Sequence, residues 1–407
     1  MYIQRDKLAI LGGGPVRDTY LSYGRQLITE EDIESVVVTL RSPFLTQGPK
    51  IKEFESQVAQ TVGAKYAVAF SNGTAALHGA CFAAGISIGD EVITTPMTFA
   101  ASANCVRYCG GTVVFADIQP DTYNIDPDKI RSLITDRTKA IIPVDFTGQP
   151  ADIDEIMAIA NEYGLVVIED AAHSLGATYK GRSVGSLADM TMFSFHPVKH
   201  ITTGEGGIIT TNSEEYYQRL LKFRSHGITR DQQLFQNPNE GPWYYEMQDL
   251  GYNYRMTDLQ ASLGVAQISK LGEFVARRKE IAEIYNHQFQ SNPYVITPFQ
   301  KSERESSWHL YVIQLKSDML TATRKEIYEA LIAENIGVNV HYIPVHLNPY
   351  YQQLGYKKGL APIAENLYEH ILTLPLFPAM GDQDVQDVIN AVEKVLDYFS
   401  KDKRKTR

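Results

Sequence analysis

A lysine, an aspartate and a turn of small residues, each at the end of an apolar run, could do covalent chemistry in this chain. The turn is Ser71-Asn72-Gly73-Thr74-Ala75-Ala76, after the apolar run 66–70 and before an Ala-rich helical stretch. Free backbone amides and the positive end of a helix dipole suit a phosphate dianion there, though alone such a turn is more often just a helix cap. The aspartate is Asp170, in Ile168-Glu169-Asp170-Ala171-Ala172-His173. It closes an apolar strand at the end where open α/β sheets bind ligands, and it could keep a pyridine nitrogen protonated. A metal-binding or capping carboxylate is the alternative. The lysine is Lys199, in Ser194-Phe195-His196-Pro197-Val198-Lys199, just beyond another strand and before Thr202-Thr203-Gly204-Glu205-Gly206-Gly207. Most lysines are solvated, but one held in a glycine-rich pocket can shed its proton on desolvation and attack an aldehyde. Ser194, five residues earlier, could donate its hydroxyl to the same phosphate.

Phosphate cradle, pyridinium partner and amine nucleophile are the three handles that hold pyridoxal 5'-phosphate, so the three sites together predict that cofactor, carried on Lys199. Positioning them is the task of an alternating pattern of short β-branched runs and amphipathic stretches, which reads as a mainly parallel sheet covered by helices. Residues 66–70, 91–95, 112–117, 140–145, 165–170, 190–195 and 207–211 are the predicted strands. Residues 152–163 have helical spacing, and Gly164 stands where a C-cap glycine would end that helix. Beyond Leu271 the grammar changes to a charged helix over 276–290, a strand over 308–315, a helix over 324–334 and a strand over 337–342. This division predicts a large α/β domain over 1–270 and a smaller α+β domain over 271–407. The polar stretch 230–242 reads as a long loop.

Composition narrows the function classes. The chain has 407 residues, 44% of them hydrophobic and 21% charged, which is ordinary globular usage. A net charge of −10 disfavours nucleic-acid binding, and the basic run Lys401, Lys403, Arg404, Lys405 and Arg407 reads as a solvated tail. Cys81, Cys105 and Cys109 are odd in number and lack CxxC spacing, which fits a reducing cytoplasm and favours neither disulfides nor zinc. No secretory leader and no membrane-spanning run is expected. His341, Tyr342 and His346 have no carboxylate at ligand spacing, so no metal is predicted. Gly12-Gly13-Gly14-Pro15 lacks the strand and helix of a dinucleotide fingerprint and reads as part of a flexible N-terminal arm.

The motifs Thr46-Gln47-Gly48, Gly73-Thr74-Ala75, Glu169-Asp170-Ala171-Ala172-His173, Ser194-Phe195-His196, Lys199 and Gly251-Tyr252-Asn253-Tyr254-Arg255 closely resemble those of the DegT/DnrJ/EryC1/StrS sugar aminotransferases. The resemblance runs from about Tyr23 to the last helix. It implies the fold-type I (aspartate aminotransferase-like) architecture of pyridoxal-phosphate transferases and a homodimer with shared sites. It also implies roles that spacing could not supply. Phe99 would stack on the cofactor ring, His173 would lie near the ring hydroxyl, and Asn253 would reach the phosphate of the neighbouring subunit. The segments 194–207, 223–227 and 340–345 look most like the family's pseudaminic acid pathway aminotransferases, with His200 departing from their usual proline. By that likeness Tyr23, Pro43, Phe44, Leu45, Thr46, Gly73, Ser194, Asn253, His341, Tyr342, Ile343 and Pro344 would touch a UDP-linked ketosugar, with L-glutamate as amino donor. The rival readings are a transaminase of another nucleotide ketosugar, a pyridoxamine-phosphate sugar dehydratase and a non-catalytic sensor. Lys199 weighs against the dehydratase, because family members that dehydrate tend to carry histidine there. The complete lysine, aspartate and phosphate set weighs against the sensor.

Overall fold

Seven runs rich in β-branched residues form one sheet: β1 (Tyr66–Phe70), β2 (Glu91–Thr94), β3 (Thr112–Phe115), β4 (Thr138–Ile142), β5 (Val166–Asp170), β6 (Met190–Ser194) and β7 (Gly207–Thr211). The computed structural model describes residues 7–237 and 241–401. Across the sheet the order is β1-β7-β6-β5-β4-β2-β3. Only β7 runs antiparallel to its neighbours, and the other pairs are parallel. Such strands must be apolar on both faces because helices cover both. Val68, Phe70, Leu77 and Ile168 join the core on one face, while Ile93, Ile141, Ile156 and Val167 join that on the other. All seven predicted strands are present. β4 stops before the predicted 145 because Pro143 has no N–H to continue the ladder, leaving an isolated bridge from Val144 to Asp170.

Parallel strands bring their carboxyl ends to one edge, so the turn after β1, Asp170 at the end of β5 and Ser194 at the end of β6 share that edge. β7 begins there, since it runs the other way. Its first residue is glycine for a steric reason: a Cβ on Gly207 would fall 2.6 Å from the Asn72 carbonyl oxygen. Of the covering helices, Gly73–Ala83 starts at Asn72, whose side chain accepts from the Ala75 amide. Ile153–Tyr163 ends on Gly164 in the left-handed region, as its sequence predicts.

The C-terminal residues build an antiparallel sheet, β8 (Val295–Ile296), β9 (Tyr311–Leu315) and β10 (Ile371–Leu374), in that order. Helices Leu271–Phe289, Arg324–Ala333 and Asp382–Tyr398 accompany it. Two predicted strands need correction. The first begins at Tyr311, not 308, because Trp308 takes a left-handed φ of 52°. The second, 337–342, keeps one bridge, Asn339 to Thr373. Its other amides leave the ladder: Gly337 N–H donates to Leu21 O, Val340 N–H to the Asn339 side chain and Tyr342 N–H to Met97 Sδ.

The glycine run near the N-terminus is not the flexible arm its composition suggests. Leu8 is buried among C-terminal core residues, and the amides of Ala9 and Val16 donate to the buried Glu334 carboxylate. Of the polar loop, residues 238–240 lie outside the described residues, and so do Lys403, Arg404, Lys405 and Arg407 of the basic run.

Candidate active site

A cavity of about 860 Å³ opens at the carboxyl edge of the sheet. Lys199, Asp170, Gly73, Thr74, Ser194, Phe99, His173, Tyr23, His341 and Tyr342 all line it. Gly73 and Thr74 are the first residues of their helix, where amides have no intrahelical acceptor, and the cavity lies in front of them. A Cβ on Gly73 would stand 3.3 Å from the Ser194 Cβ, so glycine lets the turn and the Ser194 hydroxyl sit side by side without a shift. Amides, hydroxyl and helix dipole together make an anion cradle of phosphate size.

Asp170 is 4% exposed. Its carboxylate accepts from Ser102 Oγ at 2.6 Å and from the Ala172 amide at 3.1 Å. Burial pushes its pKa up, while those two bonds and the Lys199 charge hold it down. Lys199 opens into the same cavity, and its Nζ lies 3.3 Å from His309 Nε2. Burial lowers the lysine to about 8, with Asp170 opposing the drop and Arg278 adding to it. Burial, reinforced by the lysine charge, also holds His173 and His309 well below their usual range and brings His341 to about 3. The site thus presents a carboxylate, a readily deprotonated amine and several neutral imidazoles. His173 Nε2 is bonded to the Tyr342 hydroxyl at 3.0 Å. His341 Nδ1 is bonded to Thr373 Oγ1 at 2.8 Å, and its ring lies 5.3 Å from that of Tyr23.

The residues present fit pyridoxal phosphate. A cradle, a buried carboxylate and an amine without a carboxylate bonded to it surround one space, and Phe99, 62% exposed, offers its ring at the edge. Other predicted positions lie off this cavity. Pro43, Phe44, Leu45 and Thr46 form a surface segment pinned where the Asp258 amide donates to Leu45 O and the Asp258 carboxylate accepts from Gly48 and Lys50. Ile343 is exposed and Pro344 buried outside the lining. Asn253 is exposed, between Tyr252 and Tyr254, whose rings stack on each other at 4.9 Å.

Sequence reading missed His309, Ser102 and Thr98. Ser102 holds Asp170 and is itself bonded to Thr98 at 2.7 Å, yet the two positions read as ordinary helix-start residues. His309 stands inside a predicted strand, where a lone histidine reads as core.

The family pattern of the DegT/DnrJ/EryC1/StrS aminotransferases matches residues 26–393. The spore coat polysaccharide biosynthesis protein SpsC of Bacillus subtilis is 47% identical, over 93% of this chain and 98% of its own. A UDP-4-amino-4,6-dideoxy-N-acetyl-beta-L-altrosamine transaminase of Campylobacter jejuni is 38% identical, over 94% of this chain and 99% of its own. Among solved structures, Helicobacter pylori PseC, an aminotransferase of pseudaminic acid biosynthesis, superposes with a TM-score of 0.87 at 32% identity, covering 94% of this chain and all of its own. The fold is the fold-type I architecture of pyridoxal-phosphate enzymes. On this geometry and these matches, the chain belongs to the DegT/DnrJ/EryC1/StrS aminotransferase family and is a pyridoxal-phosphate-dependent sugar aminotransferase.

Proposed function

We propose that the chain moves the amino group of L-glutamate to the C4 keto group of a UDP-linked 4-keto-6-deoxy-N-acetylhexosamine, in pseudaminic acid or related surface-sugar biosynthesis. The observation that carries the chemistry is the single cavity holding Lys199 Nζ, the Asp170 carboxylate and the Gly73 cradle. The bound cofactor supplies an electron sink for the carbon that loses or gains the amine. Lys199 anchors it and, once displaced, moves a proton at that carbon through Nζ. Asp170 would hold a proton on the ring nitrogen, Gly73, Thr74 and Ser194 would hold the phosphate, and Phe99 and His173 would pack against the ring. Tyr23, His341 and Tyr342 receive the sugar, and Pro43 to Thr46 with Asn253 serve the site of the other copy in a homodimer. The UDP-sugar assignment is supported by the name of the Campylobacter jejuni relative and by the segments 194–207 and 340–345. A cytoplasmic location is consistent with the absence of a long apolar helix among the described residues.

The deciding experiment offers the holoenzyme and L-glutamate a panel of UDP- and dTDP-linked 4-ketosugars and follows 2-oxoglutarate release and product stereochemistry. Amination at C4 of a UDP-linked N-acetylated sugar is the expected result. Turnover confined to dTDP sugars would overturn the substrate assignment. In parallel, borohydride reduction followed by peptide mass spectrometry should fix the cofactor on Lys199, and reduced cofactor on any other lysine would refute the site itself.

A further inference from the structure

Arg278 heads the fully buried side chains by volume, on the helix Leu271–Phe289, and no ion pair offsets its charge among the described residues. Backbone carbonyls hold it instead. Nη1 donates to Leu376 O at 2.8 Å, His309 O at 3.2 Å and Trp308 O at 3.3 Å, while Nη2 reaches Val198 O at 3.5 Å. Two of these carbonyls are next to the site: Val198 immediately precedes Lys199, and His309 is the residue whose ring meets Lys199 Nζ. A methionine of similar length would fill the space without the cost of burying an unpaired charge, so packing alone does not account for arginine here. Burial lowers Arg278 to about 9, which still leaves it charged at neutral pH, and its planar fork reaches carbonyls in fixed directions that an ammonium does not preset.

We propose that Arg278 is a positioning residue for the transfer reaction: it clamps the Lys199 and His309 segments to one helix and sets a cation against the Val198 carbonyl that opposes a proton on Lys199 Nζ. The proposal rests on Lys199 being the amine that carries the cofactor. Burial is the largest influence on Lys199, and two fixed charges act on it with opposite signs, Asp170 the stronger. Asp170, from the end of β5, favours the charged amine, and Arg278, from the C-terminal helix, opposes it. His200 on the lysine's own segment, His173, His309 and His341 are all held neutral by burial. Tyr342, from the segment facing His173, is pushed to a higher pKa by burial and stays uncharged. Arg278 is therefore the second fixed charge acting on the lysine, and the one that disfavours its proton.

The test uses the holoenzyme, with attachment at Lys199 first verified by borohydride reduction; cofactor found elsewhere would refute the site, not Arg278. The quantity read is the pH midpoint at which the bound cofactor's visible absorbance changes form, which reports a proton at Lys199 Nζ. Arg278→Met removes a cation, so the midpoint should rise by about one pH unit. Arg278→Lys keeps the charge and should stay within about a third of that shift. A methionine variant that melts at lower temperature yet keeps the wild-type midpoint would reduce Arg278 to a structural role and overturn the proposal. If the methionine variant does not fold, Arg278→Gln, which retains donors for the carbonyls, is read in the same way. Should neither uncharged variant fold, the lysine variant decides alone, since a midpoint displaced by a full unit despite the retained charge would also overturn it.

Discussion

Lys199 and Asp170, both shifted chiefly by burial, also shift each other's protonation, and that coupling gives a measurement independent of turnover. Only an uncharged amine attacks an aldehyde, so the rate at which apoenzyme takes up pyridoxal phosphate should climb with pH and level off above about 8. Asp170 raises the lysine's pKa, and Asp170→Asn removes that support, so in the variant the plateau should begin at lower pH. The same substitution should lower turnover by about 10²-fold or more, because a neutral amide cannot stabilise the ring-nitrogen proton. A plateau at unchanged pH together with near wild-type turnover would show that Asp170 does not act on this site. At this scale the sequence was informative wherever a residue type was out of place: a lysine and an aspartate at strand ends are rare. It was silent where the type was ordinary. Ser102 on a small-residue helix and Arg278 on a charged one read as ordinary members of their helices, and only tertiary contact sets them apart.

At the scale of elements, the sheet was legible because strands buried on both faces are written as short, mostly apolar runs alternating with helical spacing. Predicted strands failed where backbone donors are claimed by something other than a ladder. Pro143 has no donor, Trp308 turns left-handed, and the amides of 337–342 go to Leu21, a side-chain amide and a thioether. Those same departures build the site's far wall, since His341 and Tyr342 reach the cavity from a segment freed of sheet geometry. At the cradle the start of β7 packs against the Asn72 backbone, and that contact gives a prediction of its own. Gly207→Ala would place a methyl 2.6 Å from that oxygen and force the Asn72–Gly73 turn outward. Because overpacking of this kind costs about 1–3 kcal/mol, affinity for pyridoxal phosphate should weaken by about tenfold, measured by equilibrium dialysis, while the melting temperature of the apoenzyme falls by a few degrees. Unchanged affinity in a folded variant would show that the turn is free to shift without harming the cradle.

For the whole molecule, the cavity of one chain leaves predicted residues unused. Asn253 is exposed and does not line the cavity, although its neighbour Tyr254 does. Ile33, Val38, Leu40, Phe44 and Leu45 are each about half exposed along the helix Glu30–Leu40 and the segment after it. In the proposed homodimer a second copy would cover this apolar surface and give Asn253 a phosphate to reach. On this reading dimerisation is a condition of activity, which subunit mixing can test. Lys199→Ala and Asn253→Ala should each be nearly inactive as homodimers. In a heterodimer one site carries both lesions and the other carries neither. Random exchange makes half the dimers heterodimeric, each with one of two sites intact, so mixing should restore activity to roughly a quarter of wild type. Exchange can be followed independently by mass spectrometry of differently tagged subunits. No recovery despite demonstrated exchange would place Asn253 and Lys199 in the same chain's site, and a fully active monomer in sedimentation would remove the shared site altogether.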